Sequence, residues 1–320
     1  VRRVLIVGYD DAELLDISCP SDVFDTANRL SAEPVYDVRL ASLRGEPVRC
    51  SSGMALLPHE RLEHARGPLD TLIMSGGLGH DRAAANPQLV ARVRDLAAHS
   101  TRVASVCSGA TILAAAGLLT GRRATTHWAI AADFARANPD VEVDPAPLFI
   151  RAGHVYTSAG VTSALDLALT FVEDDLGAPM ARTVARWLVT YLHRPGNQAQ
   201  VSMFLTTPPP DNDVVRSLCD HLTANLADDL STPALAAKAG LSPRHLTRVF
   251  DTELNTTPAR YVRTLRTEAA AHLLSSTDLP LRAVARRCGF RTTETLRQAF
   301  LHHFDTTPSA YRNAHQRKPA

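Results

Sequence analysis

Residues 239–261 read AGLSPRHLTRVFDTELNTTPARY and residues 288–311 read CGFRTTETLRQAFLHHFDTTPSAY, the second repeating the first with one residue inserted. Leu246, Phe250, Leu254, Thr257, Pro258 and Tyr261 fall on Leu296, Phe300, Phe304, Thr307, Pro308 and Tyr311. A Gly-apolar start, apolar residues at helical spacing and a Thr-Pro-x-x-Tyr ending define a repeated structural unit. Each copy predicts a short helix, a tight turn and a second helix. In the first copy Thr232 is placed as the N-cap, with Pro233 at the first helical position, where a missing N–H is harmless. The helix runs to Ala239, and Gly240 supplies the positive-φ stop. Ser242-Pro243 repeats the cap-plus-Pro start, and the second helix extends to about Leu254. The second copy runs from Leu281 through Gly289 and Thr292 to about Phe304.

This is the helix-turn-helix pattern, whose second helix enters the DNA major groove. The polar faces agree with it. Arg244, Thr247 and Arg248 lie at i, i+3, i+4 opposite Leu246, Val249 and Phe250, and Thr293, Glu294, Arg297 and Gln298 occupy the equivalent face of the second copy. Arg and Gln make bidentate contacts to guanine and adenine edges, and Glu accepts from cytosine. An ordinary helical bundle with a solvated charged face is the alternative, and the tandem arrangement argues against it. Charge points the same way: residues 231–320 carry fourteen Lys+Arg against six Asp+Glu, the remainder twenty against twenty-seven. A basic tail behind an acidic front suits phosphate neutralisation by the tail alone.

Gly289-Phe290 followed by Phe300, Phe304, Thr307-Pro308 and Tyr311-Arg312 closely resembles the C-terminal signature of the AraC/XylS family of bacterial transcription regulators, over residues 211–317. The resemblance implies two helix-turn-helix units bridged by a long helix, here 259–274, with Val262, Leu265, Ala269 and Leu273 as its buried stripe. It also implies base contacts from Arg244, Thr247, Arg248, Glu294, Arg297 and Gln298; a second unit touching only phosphates would leave Glu294 without that role.

Working outward, 320 residues suit about two domains. Arg194-Pro195-Gly196 and Thr206-Thr207-Pro208-Pro209-Pro210 interrupt any continuous helix. The division expected is therefore 1–194, a Pro-rich linker 195–211 and a DNA-binding domain 212–320, opening with a helix over 213–230. In residues 1–190 the apolar runs 4–7, 35–41, 71–74 and 103–106 alternate with helical segments 21–30, 87–98, 110–119, 163–175 and 180–191. Nearly continuous apolar strands alternating with helices predict an α/β fold with a parallel sheet covered on both faces, and 149–150 with 155–158 predict a hairpin.

Val106-Cys107-Ser108-Gly109-Ala110 runs a strand directly into a helix with the cysteine on the turn, the placement of a nucleophile elbow without its strict Gly-x-Ser-x-Gly pattern. A thiol at a helix N-terminus should ionise more easily. Gly76-Gly77 follows a strand and could offer backbone N–H groups to an anion, His127 lies downstream, and Asp16 falls just before Pro20 in the first strand's loop. Strand ends of an open α/β sheet are where ligands bind. Against each stands a plainer reading: a small residue that fits a turn, a packed histidine, a helix cap. The five cysteines are scattered without metal-ligand spacing, so free thiols are expected, with no metal or cofactor.

Residues 1–190 resemble the class I glutamine-amidotransferase-like superfamily, in the branch containing intracellular-protease-like proteins and isocyanide hydratase. The resemblance rests on Leu14-Leu15-Asp16-Ile17 with Pro20, on Ser75-Gly76-Gly77, on Val106 to Ala110, on Ala124-Thr125-Thr126-His127-Trp128, and on Ser158-Ala159-Gly160-Val161-Thr162-Ser163. It implies a flavodoxin-like sandwich, a homodimer, and a pocket at Asp16, Gly76, Gly77, Cys107, Ser108, His127 and Thr162. In an enzyme of this branch Cys107 would be the nucleophile, Asp16 its acid partner and His127 a neighbour. Joined to an AraC-type tail, the domain is expected to sense a small metabolite such as an amino acid or amine. The competing expectation is a Cys-dependent hydrolase or hydratase with an appended tail. No apolar run is long enough for a membrane span and the start does not read as a signal peptide, so a cytoplasmic protein is expected.

Overall fold

The computed structural model describes residues 1–190, 194, 196, 200 and 212–316, and the chain falls into two compact units, Val1–Gln200 and Val201–Ala320. Of the Pro-rich linker expected over 195–211, Gly196 and Gln200 are described and the Pro208–Pro210 triplet lies outside the described residues.

Unit 1 is built on a seven-stranded sheet. Its strands are β1 (Arg2–Val7), β2 (Tyr36–Ser42), β3 (Glu60–Arg61), β4 (Leu69–Met74), β5 (Ser100–Val106), β6 (Phe149–Ala152) and β7 (Val155–Ser158), in the order β6-β7-β5-β4-β1-β2-β3. All neighbours pair in parallel except the β6–β7 hairpin. Both faces of the strands are apolar, and both are covered. Val4 and Ile6 of β1 pack with α1 (Leu14–Leu30), α6 (Ser163–Leu176) and α7 (Ala178–Trp187) through Ile17, Phe24, Leu167, Phe171 and Val184. Leu5 and Val7 face the opposite layer, where α2 (His80–Ala84), α3 (Pro87–Ala98), α4 (Gly109–Ala115) and α5 (Ala131–Ala137) contribute Ala83, Leu89, Val93, Leu96, Ile112 and Phe134. Burying each large side chain of this kind contributes about 1.5–3 kcal/mol. The order reverses between β1 and β4: the chain goes from β1 out to β2 and returns to β4 on the other side. The carboxyl ends of β1 and β4 flank that crevice, and β5 ends beside them.

Several helix boundaries differ from the sequence reading. The first helix begins at Leu14, seven residues earlier than expected, so Pro20 lies inside it and Asp16 sits in its first turn, not in a loop. Proline forfeits one backbone hydrogen bond there, while Phe24 and Ile17 hold the helix on the core. Helix α7 stops at Trp187, before Val189 takes positive φ.

Unit 2 consists of α8 (Asp213–Ala224), α9 (Thr232–Lys238), α10 (Pro243–Leu254), α11 (Pro258–Ser276), α12 (Leu281–Arg287), α13 (Thr293–Phe304) and α14 (Pro308–Gln316). Helix α8 ends at Ala224, short of the 230 expected, with Asn225 as its C-cap. The cap of α9 is Ser231, whose side chain accepts from Ala234 N–H, so Thr232 is already helical. The stripe on the long helix α11 also shifts. Val262 and Leu265 are buried against the first helix-turn-helix, but further along it is Ala270, Ala271 and Leu274 that are buried, in the core of the second; Ala269 and Leu273 are only partly so. One helix serving two cores must present a different face to each, and a single periodic stripe does not anticipate that change.

Candidate functional site

Cys107 is the residue that turns β5 into α4. Its φ of 55° is the left-handed conformation, uncommon for a residue with a side chain. Its N–H donates to the Ser158 carbonyl at the end of β7 (2.9 Å). Its carbonyl accepts from the Thr126 hydroxyl (2.9 Å). Gly76 and Gly160 press on it so closely that a Cβ would stand 2.6 Å and 2.1 Å from the Cys107 Cβ. Tight packing from β4, β5 and β7 thus fixes the thiol at the switch point of the sheet.

Asp16 enters from α1 and is fully buried. Its Oδ2 accepts from Gly76 N–H (3.0 Å) and its Oδ1 from Val161 N–H (2.7 Å). Burial raises its pKa to about 7, against the pull of those two N–H donors. The Cys107 thiol is pushed up to about 12, first by burial and then by the Asp16 charge, with Ser108 working the other way. This corrects the expectation of an easily ionised thiol: burial and the Asp16 carboxylate beside it raise the pKa, and the helix that follows is only seven residues long. At neutral pH the site holds a neutral thiol next to a carboxyl near its midpoint.

The Gly76-Gly77 donors are also spent within the protein. Gly76 N–H is on Asp16, and Gly77 N–H donates to Ser108 Oγ (2.8 Å), which returns a bond to the Gly77 carbonyl (2.9 Å). They tie the end of β4 to Asp16 and Ser108 and do not stand open as an anion hole. The Thr162 hydroxyl oxygen accepts from the Arg194 guanidinium (3.0 Å). The His127 ring lies against Trp128, with Nδ1 accepting from Ala129 N–H (3.3 Å); burial lowers its pKa. The described hydrogen bonds therefore bring Asp16, Gly76, Gly77, Cys107 and Ser108 together and leave His127 and Thr162 one step removed. Two participants escaped sequence reading: Thr126, through its hydroxyl, and Val161, through its backbone N–H. The first stands in the quoted Thr125-Thr126-His127 run, where the histidine drew attention instead; the second has no side-chain signal at all.

In unit 2, Arg244, Arg248, Thr293, Glu294 and Gln298 are exposed, and Thr247 and Arg297 are partly so. Arg244 and Arg248 project from α10, and Thr247 returns its hydroxyl to the Pro243 carbonyl (2.9 Å). On α13, Thr293 is exposed, while Glu294 gathers its neighbours. Arg297 donates to it from Nε (2.9 Å) and a terminal nitrogen (2.7 Å), and Gln298 donates from Nε2 (2.8 Å). Within unit 2 a cleft of about 910 Å³ lies between the two helix-turn-helix copies, lined by Asp229, Thr232, Arg263, Arg266, Glu294 and Gln298 among others.

Comparison with known proteins agrees with both halves. Residues 2–174 match the model of the DJ-1/PfpI family and residues 235–314 that of a helix-turn-helix domain. The chain belongs to the DJ-1/PfpI family, with an AraC-type helix-turn-helix domain behind it. The HTH-type transcriptional regulator CdhR of Pseudomonas aeruginosa is 31% identical over 88% of this chain and 83% of its own. An isonitrile hydratase of Pseudomonas putida is 33% identical over 55% of this chain and 73% of its own. Among solved structures, an AraC family transcriptional regulator from Pseudomonas putida superposes with a TM-score of 0.51 at 26% identity, covering 59% of this chain and all of that one. No helix among the described residues is long and apolar enough to cross a membrane.

Proposed function

We propose that this protein is a sequence-specific transcription regulator that binds double-stranded DNA through unit 2 and a small metabolite, of the amino-acid or amine class, at the Cys107 pocket of unit 1. Helices α10 and α13 read base edges, and 195–211 is the linker that carries the metabolite signal. The protein works in the cytoplasm as a homodimer through unit 1. The observation that carries the sensing part is the geometry at the strand ends: partly buried Cys107, held at positive φ between Gly76 and Gly160 beside the fully buried Asp16, with the thiol pushed up by burial, is poorly placed as a nucleophile and suited to contacting a polar ligand. The test is selection of genomic fragments by the purified protein, with and without a pool of small nitrogenous metabolites. Enrichment of paired motifs about one helical turn (roughly 10 bp) apart is expected, shifting with one metabolite. Failure to enrich any motif under either condition overturns the regulator.

A second reading, a Cys-dependent hydrolase or hydratase, has one observation in its favour: an isonitrile hydratase is 33% identical over 55% of this chain. The pH dependence of Cys107 alkylation separates the two. A thiol near 12 reacts about tenfold faster for each pH unit between 6 and 9, because each unit multiplies the thiolate fraction by ten. A plateau near neutrality, together with turnover lost in Cys107→Ala, establishes the enzyme instead.

A further inference from the structure

Gln200, the last residue of unit 1, occupies a slot that fits its carboxamide group by group. Its Nε2 donates to the Thr125 hydroxyl (2.9 Å), the Thr126 carbonyl (2.8 Å) and the Pro147 carbonyl (3.3 Å). Its Oε1 accepts from Trp128 N–H (2.9 Å), and its own backbone N–H donates to the Ala146 carbonyl (3.0 Å). Turning the amide over would set NH₂ against the Trp128 N–H and oxygen against two carbonyls, so the surroundings impose one orientation. Thr125 and Thr126 are themselves fully buried, and Thr125 N–H is held by Thr157 Oγ1 (2.8 Å), so the slot is anchored on β7 and not improvised by a surface loop.

We infer that the segment 125–128, closed by Pro147, is a binding site for a primary carboxamide, and that Gln200 is its resident, latching the start of the linker onto unit 1. The site is distinct from the Cys107 pocket but shares a wall with it: Thr126 gives its backbone carbonyl to Gln200 and its hydroxyl to the Cys107 carbonyl. Arg194 fastens the chain at a second point. It pairs with the buried Asp166 (2.7 Å) and meets the hydroxyl of Thr162, next to the Val161 N–H that holds Asp16. Of the two anchors of the outgoing chain, Gln200 touches the residue that holds Cys107, and Arg194 touches the neighbour of the residue that holds Asp16. A carboxylate of the same size cannot replace the amide, since it has no hydrogens for the two carbonyls.

The experiment uses the full chain and needs no DNA, so its failure is separate from that of the regulator reading. Amide hydrogen exchange is followed at Trp128 and Gln200 in the unaltered protein, in Gln200→Glu and in Gln200→Ala, with the Val103–Val106 amides of β5 as the control that unit 1 remains folded. Exchange at both positions is expected to quicken at least tenfold in each variant. In Gln200→Ala, added propionamide is expected to slow Trp128 exchange again while propionate does not. Unchanged exchange in Gln200→Glu overturns the latch. Propionate acting as well as propionamide, or neither acting, overturns the carboxamide site.

Discussion

The two helix-turn-helix units share a plan but differ in what surrounds their turns. Each has a glycine at positive φ, Gly240 at 67° and Gly289 at 75°, and a side-chain cap, Ser242 or Thr292, at the start of the second helix. Each ends that helix on a left-handed residue, Asn255 or Asp305, and buries an equivalent pair, Leu246 with Phe250 or Leu296 with Phe300. Yet a Cβ on Gly240 would meet nothing within 4 Å, whereas one on Gly289 would stand 2.1 Å from the Leu226 carbonyl oxygen and 2.6 Å from the Arg266 side chain. Arg266 donates to the Leu226 (2.9 Å) and Asp228 (2.7 Å) carbonyls, drawing the loop after α8 across the second turn. The first glycine answers to backbone conformation only, the second to conformation and space.

The largest effect should therefore fall on the second unit. Gly240→Ala is expected to cost about 1–2 kcal/mol, the left-handed penalty alone. Gly289→Ala adds displacement of a backbone carbonyl, an overpacking cost of about 1–3 kcal/mol, for a total of about 3 kcal/mol or more. Urea unfolding of both variants measures the difference, and equal losses would show that Arg266 and Leu226 simply move aside.

The next largest effect belongs to the first unit and to DNA. Arg248 is exposed on α10 beside Arg244. Arg248→Ala is expected to lose about 1–3 kcal/mol on a selected site, with relaxed preference at one base pair. Arg263→Ala, on the connecting helix α11, should weaken specific and random DNA alike. If Arg248→Ala also costs the same on both, α10 grips the backbone without reading bases.

The repeat was legible because its signals are local: glycine turns, Ser and Thr caps, and apolar residues at helical spacing are all imposed by neighbours within one or two turns. The same holds for the strand-to-helix turn at Cys107 and for the alternation that makes the parallel sheet. What was not legible depends on partners distant in sequence. The ionisation of Cys107 is set first by burial that no local pattern reports, and then by Asp16, ninety-one residues earlier. The Gly76 and Gly77 donors looked available because their acceptors, Asp16 and Ser108, arrive from other elements. The buried face of α11 changes midway because two different cores claim it.

The smallest effect tests the remaining difference between the reading faces. Among the described residues Arg244 and Arg248 of α10 form no ion pair, whereas on α13 Arg297 and Gln298 both spend donors on Glu294. Arg297 first, and then Gln298, holds the Glu294 carboxyl down to about 2, so the cluster stays charged and closed throughout the range in which DNA binding is measured. A carboxyl lowered in this way loses its stabilising effect only as pH falls toward that value, and acidification from pH 8 to 5 should leave the cluster intact. If α13 reads bases as proposed, DNA competes with Glu294 for the arginine fork. Glu294→Gln keeps the side chain's length and an acceptor for Arg297 but removes the charge that clamps it. Total affinity is expected to rise only a few-fold, while guanine becomes preferred at one position of the second motif, because a released arginine reads O6 and N7 together. Binding measured across a set of sites permuted in that motif makes the distinction. A uniform gain on every sequence would mean that Glu294 only repels phosphate, and that the second unit positions the protein while the first reads.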